Sequence, residues 1–470
     1  MIDTVRVRGC CPLDCQDSCS WVAHVHNGVV RRVEGARDHP ITRGTLCAKV
    51  NEHGPAALFS FDYLGSMGVV QRRALRRIFH ALGASRQTGS VCGAAGNVLE
   101  AEGEVGAARP AAVRAGIAPQ QTVTGEQFVR SLSALAVLGG HWQLPGGGLF
   151  IETNPAMNEA PAGRRDVGPT PRLLDIARLG AYLTDPALDP PVRGLMVWGA
   201  NPAVSQPSAG LVRKGLARDD LFLLVVEHFL TDTARYADVV LPSTTQLEHF
   251  DVQGAWGHHC ISVNVPAVAP LGEARSHGEI MRMLARRLGL TGPAFRESDE
   301  QIAAGALPHD LTLDELKARG FVKRSPRPPV FGPGGSVVRL SEPATRPVST
   351  GPLQLLTPKA HQFLNSTFVN MPRQRKAEGR PTLFMHPADA ESRTLAGGIE
   401  VRVQNENGSL TAIVEITEGI RQGPVALPGK WWDADSANLL TPLSQSPGGQ
   451  PAYNDTFVEV SPVATPAAAV

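Results

Sequence analysis

Cys10-Cys11-Pro12-Leu13-Asp14-Cys15-Gln16-Asp17-Ser18-Cys19, closed much later by Cys47-Ala48-Lys49, is the stretch on which the reading turns. Five of the seven cysteines lie in the first fifty residues. Cys11, Cys15 and Cys19 recur every fourth residue on a turn-rich segment, so three thiolates can converge while Cys47 closes the site. Four soft thiolates suit either tetrahedral zinc or a cubane iron–sulfur cluster. Structural zinc usually takes paired knuckles rather than a triplet with a remote single, and disulfides are uncommon in reducing compartments. The spacing therefore favours a [4Fe-4S] cluster on Cys11, Cys15, Cys19 and Cys47. Cys10 is one thiolate too many and reads as a small buried hydrophobe.

Outward from the cysteines, apolar residues alternate on both sides of Asn27-Gly28, a strong hairpin signal. A small antiparallel sheet carrying the cluster loops follows. The chain has 470 residues, too many for one core, and 42% hydrophobic with 19% charged residues suits a globular enzyme. A net charge of +1 gives no long-range reason to seek nucleic acid or an anionic membrane. No apolar run is long enough to span a bilayer, and Met1 to Arg8 carries no export pattern, so a cytoplasmic location is expected.

The middle of the chain reads as a doubly wound α/β unit. Leu195-Met196-Val197-Trp198 is a buried parallel strand emptying into Gly199-Ala200-Asn201-Pro202, with a helix expected over 205–216. A second strand ends at Glu227 before the polar group Thr231, Asp232, Thr233, and Asp238 opens a third. Loop amides there can hold a pyrophosphate, and carboxylates a ribose or base. Glu248, His249 and Asp251 look metal-like in isolation and could build a zinc site. Residues 321–351 are rich in Pro, Gly and Ser and read as a linker. From 352 to 460 short alternating strands around Glu406-Asn407-Gly408 suggest a six-stranded barrel-like domain, and 461–470 an Ala/Pro-rich disordered tail. The expected units are 1–58 for the cluster, 59–150 a partial α/β region, 151–320 the doubly wound domain and 352–460 the barrel.

The Cys-Pro-Leu-Asp-Cys triplet, the Asn-Gly hairpin and the late Cys-x-Lys resemble the molybdopterin-guanine-dinucleotide oxidoreductases. That family includes formate dehydrogenases, nitrate reductases and sulfoxide reductases. The resemblance continues at Trp198-Gly199-Ala200-Asn201-Pro202, at Thr231 to Pro242, at Leu355 to Ser366 and at Gly429-Lys430-Trp431-Trp432. It implies a molybdenum or tungsten bis-pterin centre with a [4Fe-4S] relay, a small substrate and an electron-transfer partner protein. By the same resemblance Lys49 sits between cluster and pterin, and Cys92, in Thr88-Gly89-Ser90-Val91-Cys92-Gly93, is the protein ligand to the metal. A thiolate ligand points toward the formate dehydrogenase and nitrate reductase side. The resemblance also implies a lining loop, rather than a zinc site, at Glu248, His249 and Asp251. The implied dinucleotide contacts are Trp198, Gly199, Asn201, Pro202, Glu227, Thr231, Thr233 and Asp238, with Thr357, Lys359, His361, Asn365, Asn438 and Tyr453 from the barrel.

Two places depart from the family, near 58–62 and near 106–113, where the chain is shortened. Just after Cys92 the family has a complete doubly wound domain that grips one dinucleotide. Three functions therefore stand at this stage: a bis-pterin oxidoreductase, a non-catalytic iron–sulfur electron-transfer protein, and hydratase-type chemistry at the same cofactor.

Overall fold

In the computed structural model the described residues are 4–10, 19–26, 29–39, 68–78, 86–88, 112–138, 147–150, 157, 162, 173–189, 191–325, 353–446 and 449–463. Strands β1 (Thr4–Cys10), β2 (Ser20–His26) and β3 (Val29–Gly35) form an antiparallel sheet in that order. The Asn27-Gly28 reading holds in the register, which brings His26 opposite Val29. At the other end Cys10, the last residue of β1, pairs with Ser20, the first of β2. Trp21, Ala23 and Val25, with Val7 and Val33, form the buried face, which packs on Leu247 and Phe368. Gly9 is required there, because a Cβ would fall 2.3 Å from the Trp21 ring. Cys10 is buried, as its surplus suggested.

Short parallel pairs come next. β4 (Arg86–Thr88) pairs with β7 (Leu173–Asp175), and β5 (Ala112–Arg114) with β6 (Gly148–Phe150). The helix Gly125–Leu138 makes the crossover from β5 to β6. β5, this helix and β6 form a β–α–β unit.

The central sheet comprises β8 (Gly194–Trp198), β9 (Phe222–Glu227) and β10 (Val239–Pro242), all parallel in the order β10-β9-β8. Val197, Leu223 and Val225 bury against Val212 and Leu216 of the helix Ala209–Leu216. The single helix expected over 205–216 is in fact two, Pro202–Ser205 and Ala209–Leu216, because Pro207 removes a helical donor and Ser208 takes a left-handed φ of 48°. Strands β11 (Asp251–Gln253), β12 (Cys260–Asn264) and β13 (Phe321–Lys323) form an antiparallel sheet over the largest apolar cluster. The stretch read as linker from 321 thus opens with a strand, since Phe321 and Val322 pair with Ser262 and Ile261.

The last unit is a closed barrel of β14 (Leu353–Leu356), β15 (Thr382–Met385), β16 (Glu400–Asn405), β17 (Gly408–Ile416), β18 (Pro424–Ala426) and β19 (Thr456–Pro462), in the order β14-β18-β15-β17-β16-β19. Inward residues such as Leu355, Leu383, Val403, Val414 and Val458 fill it. The architecture matches the expected class: a small antiparallel sheet, parallel α/β units and a six-stranded barrel.

Candidate functional site

The carboxyl edge of β8, β9 and β10 is where a doubly wound sheet receives a ligand, and here it is lined by buried polar groups. Gly199, at a left-handed φ of 48°, turns the chain sharply out of β8 and delivers Asn201 to that edge. Asn201 Oδ1 accepts from Thr233 N at 3.1 Å and Thr233 Oγ1 at 2.7 Å. Thr233 Oγ1 in turn accepts from Ala203 N at 3.1 Å, and Thr231 Oγ1 accepts from Ala234 N at 3.2 Å. The loops after β8 and β9 are therefore tied to each other. Glu227, the last residue of β9, accepts from His228 N at 2.7 Å through Oε1.

What these bonds leave over matters more. Asn201 Nδ2, Glu227 Oε2, Asp232 Oδ2 and Ser243 Oγ are buried and have no hydrogen-bond partner among the described residues. All four lie at or just beyond the carboxyl ends of adjacent parallel strands. A buried polar atom without a partner costs about 1–3 kcal/mol, so four at one edge fit a polar ligand that supplies donors and acceptors. A pterin dinucleotide, with amide, diol and phosphate groups, meets that donor and acceptor set.

The barrel faces the same edge. Asn438 Nδ2 donates to the Ser205 carbonyl at 2.6 Å, and Tyr453 Oη and Lys430 Nζ reach the same oxygen at 3.4 Å. Ser208 N and Oγ both donate to the Thr441 carbonyl at 2.9 Å. Asp433 pairs with Arg235, and its own N–H donates to Asp232 Oδ1 at 3.1 Å. Lys359 hydrogen-bonds Asn365, whose φ of 52° is left-handed. Beneath them Trp431 meets Phe363 edge-on at 5.0 Å, and Trp432 Nε1 donates to the Ser366 carbonyl at 2.8 Å.

Of the sequence-derived residues, the structure gathers Gly199, Asn201, Pro202, Glu227, Thr231 and Thr233 at the sheet edge, with Asn438 and Tyr453 against it. Trp198 ends β8 beside them. Asp238 is a correction. It lies level with Leu223 at the opposite end of the sheet, where its Oδ2 accepts from Leu223 N at 2.7 Å. A carboxylate just before a strand occupies the amino edge, away from the ligand side. Thr357, Lys359, His361 and Asn365 follow β14 on one loop. Cys11, Cys15, Cys47, Lys49 and Cys92 lie outside the described residues. Cys19 is buried at the mouth of β2.

The metal-like trio turns out to be occupied by the fold. Glu248 accepts from Thr245 N, Thr245 Oγ1 and Leu271 N, each at 2.7–2.8 Å. His249 contacts Thr244 Oγ1 at 3.1 Å, and burial, then His277 and His228, push it down to about 3. Asp251 accepts from the backbone of Val70, Gln71 and Val252. Burial pushes its carboxyl up to about 7. Among the described residues no group of His, Cys, Asp or Glu could hold a metal ion.

Comparison with known proteins matches this geometry. The model described as Molybdopterin oxidoreductase matches residues 38–287, more than half of the chain. The chain belongs to the molybdopterin oxidoreductase family. The Fe4S4 domain of that family matches residues 4–54, and the Molydopterin dinucleotide binding domain matches 353–457. These matches assign it a [4Fe-4S] cluster and molybdopterin guanine dinucleotide with molybdenum. YoaE of Bacillus subtilis (strain 168), named a probable oxidoreductase, is 34% identical over 73% of this chain and 55% of its own length. The dimethyl sulfoxide reductase DmsA of Escherichia coli (strain K12) is 25% identical over 78% of this chain and 55% of its own. Among solved structures, acetylene hydratase from Pelobacter acetylenicus shares the fold at a TM-score of 0.54 and 21% identity, covering 62% of this chain and 47% of that one. The chain spans about half the length of the curated relatives it matches. No helix among the described residues is long and apolar enough to cross a membrane.

Proposed function

We propose that this molybdopterin-family chain is a bis-pterin oxidoreductase, of molybdenum or tungsten, transferring an oxygen atom or a hydride and proton to or from a small substrate of the formate or nitrate class. The observation that carries this reading is the row of unpartnered buried atoms on Asn201, Glu227, Asp232 and Ser243 beneath the barrel. When bound, the pterin-held metal supplies two-electron chemistry and the cluster passes electrons singly. The chain's own part is positional and electrostatic. Asn201 and Glu227 offer one donor and one acceptor to the dinucleotide, and the Asn438, Tyr453 and Lys430 contacts on Ser205 hold the barrel over it, excluding water. Cys11, Cys15, Cys19 and Cys47 hold the cluster. Lys49, two residues after the last of them, places a cation that stabilises its reduced state, and Cys92 supplies the thiolate to the metal. An electron-transfer protein takes or supplies the electrons. The ligand-like use of the cysteines suits the reducing cytoplasm.

Cys92→Ser tests the reading. Turnover with formate or nitrate should fall by at least a hundredfold while the dithionite-reduced cluster signal stays unchanged. Full turnover in the variant, or none in the wild type with its cofactors loaded, would sink the catalytic claim.

A further inference from the structure

Glu227 and His228 are neighbours at the carboxyl end of β9, and their side chains are each only 4% exposed. Two donors of His228 go to a single oxygen of Glu227. Its backbone N–H reaches Oε1 at 2.7 Å and its ring Nδ1 at 3.2 Å. The other ring nitrogen, Nε2, lies 3.1 Å from the carbonyl oxygen of Thr244, two residues past β10. Glu227 Oε2 has no partner among the described residues, and neither has Oγ of Ser243, the residue before Thr244. Ser243 N also donates to the Glu227 carbonyl at 3.3 Å. One imidazole therefore braces the two strand ends that carry two of the four unpartnered atoms at the ligand edge.

The acceptors dictate where hydrogens sit. A carbonyl oxygen only accepts, so Nε2 carries a hydrogen. A carboxylate oxygen also only accepts, so the contact at Nδ1 needs a second one. The two side chains thus share one proton more than a neutral imidazole beside a bare carboxylate, as an imidazolium–carboxylate pair does. Two imidazoles within reach of that charge stay neutral. Burial first, with His228 among the charges after it, pushes His249 down to about 3 and His277 down to about 4. A buried carboxylate lacking its partner is costly, and either of its oxygens could turn toward the ligand. With His228 on Oε1, Oε2 is the oxygen left for one.

We infer that His228 is a positioning residue for the dinucleotide: it pins Glu227 so that Oε2 stands as a fixed acceptor for a hydroxyl or N–H of that ligand, with Ser243 held beside it. The inference rests on the reading that Glu227 meets the dinucleotide. No covalent bond forms and no proton leaves the pair. The imidazolium also offsets the charge of Glu227 at an edge that must take a diphosphate.

The test uses the full chain loaded with cluster and dinucleotide, and reads the rate at which guanine nucleotide leaves it on dialysis. Asparagine can place an amide N–H where Nδ1 stands, whereas glutamine reaches toward the place of Nε2. His228→Gln, which keeps a donor for Thr244 and loses the one for Glu227, should speed release by about tenfold or more. His228→Asn, which keeps the donor for Glu227, should restore most of the difference. Glu227→Gln should speed release as His228→Gln does, and in that background His228→Gln should add little. Equal losses in His228→Gln and His228→Asn, additive with Glu227→Gln, would mean that the ring serves only the fold, and would overturn the inference. Histidine-selective isotope labelling read by nitrogen NMR gives a second readout on the wild type. A ring bearing hydrogens on both nitrogens should be present and should vanish in His228→Gln; a wild type without it would also overturn the inference. Release unchanged in Glu227→Gln would instead overturn the reading that Glu227 meets the dinucleotide, and the inference with it.

Discussion

Asp251→Asn sets two large effects against each other. In the folded chain Asp251 is fully enclosed and its Oδ1 accepts from Val70 N and Val252 N, both at 2.8 Å, while Oδ2 accepts from Gln71 N at 2.9 Å. Asparagine keeps one oxygen, so its amide nitrogen must face at least one of those backbone donors. Each buried donor left without an acceptor costs about 1–3 kcal/mol. The opposing effect is the charge. Burial lifts the Asp251 carboxyl to about 7 from an ordinary value of 3.8. Between those values the folded state holds a proton that the unfolded chain has released. The contribution is therefore complete below about pH 4 and is lost as pH rises to about 7, at about 1.4 kcal/mol per pH unit. From pH 5 to pH 7 the wild type loses about 3 kcal/mol that the asparagine variant does not lose. The variant should thus be less stable by about 1–3 kcal/mol at pH 5 and equal or better at pH 8. Paired urea denaturation at the two pH values, followed by tryptophan fluorescence, measures the difference at equal slope. A deficit of the same size at both would mean that the three backbone donors hold the carboxylate ionised throughout, and the burial argument would be refuted.

Other substitutions probe neighbouring joints. Gly68→Ala places a Cβ 2.3 Å from Asp251 Oδ2, so it should destabilise by about 1–3 kcal/mol in calorimetry, and by less in an Asp251→Ala background. Glu227→Gln and Asn201→Ala should each lower the guanine nucleotide recovered after acid hydrolysis, with the iron content unchanged. Asn438→Ala removes the 2.6 Å bond to Ser205; barrel and α/β unfolding should then separate in calorimetry, at a cost of about 1 kcal/mol.

Strands were legible wherever local periodicity was strong. The apolar run 195–198, the alternation around Asn27-Gly28 and that around Asn407-Gly408 each became a strand or hairpin at the expected place. Cysteine spacing identified the cluster because ligand geometry imposes a short-range pattern. What stayed hidden was long-range and polar. Asp251 meets Val70 across 181 residues, and the Asn201–Thr233 tie spans 32; neither leaves a repeat in the sequence. Asp238 was named as a contact through the family resemblance, although its place at the start of a parallel strand already put it on the amino edge, where it accepts from Leu223 N. The break at Ser208 did carry a signal in Pro207, which argued against one continuous helix.

One chain is expected to bind both a cluster and a pterin dinucleotide. Metal and nucleotide analysis of protein purified without oxygen, with an electron paramagnetic resonance spectrum of the dithionite-reduced sample, tests it most directly. Four iron per chain, as the Fe4S4 domain requires, together with molybdenum or tungsten and guanine nucleotide, is the expected result. Iron and a reducible cluster with neither metal nor nucleotide would contradict it.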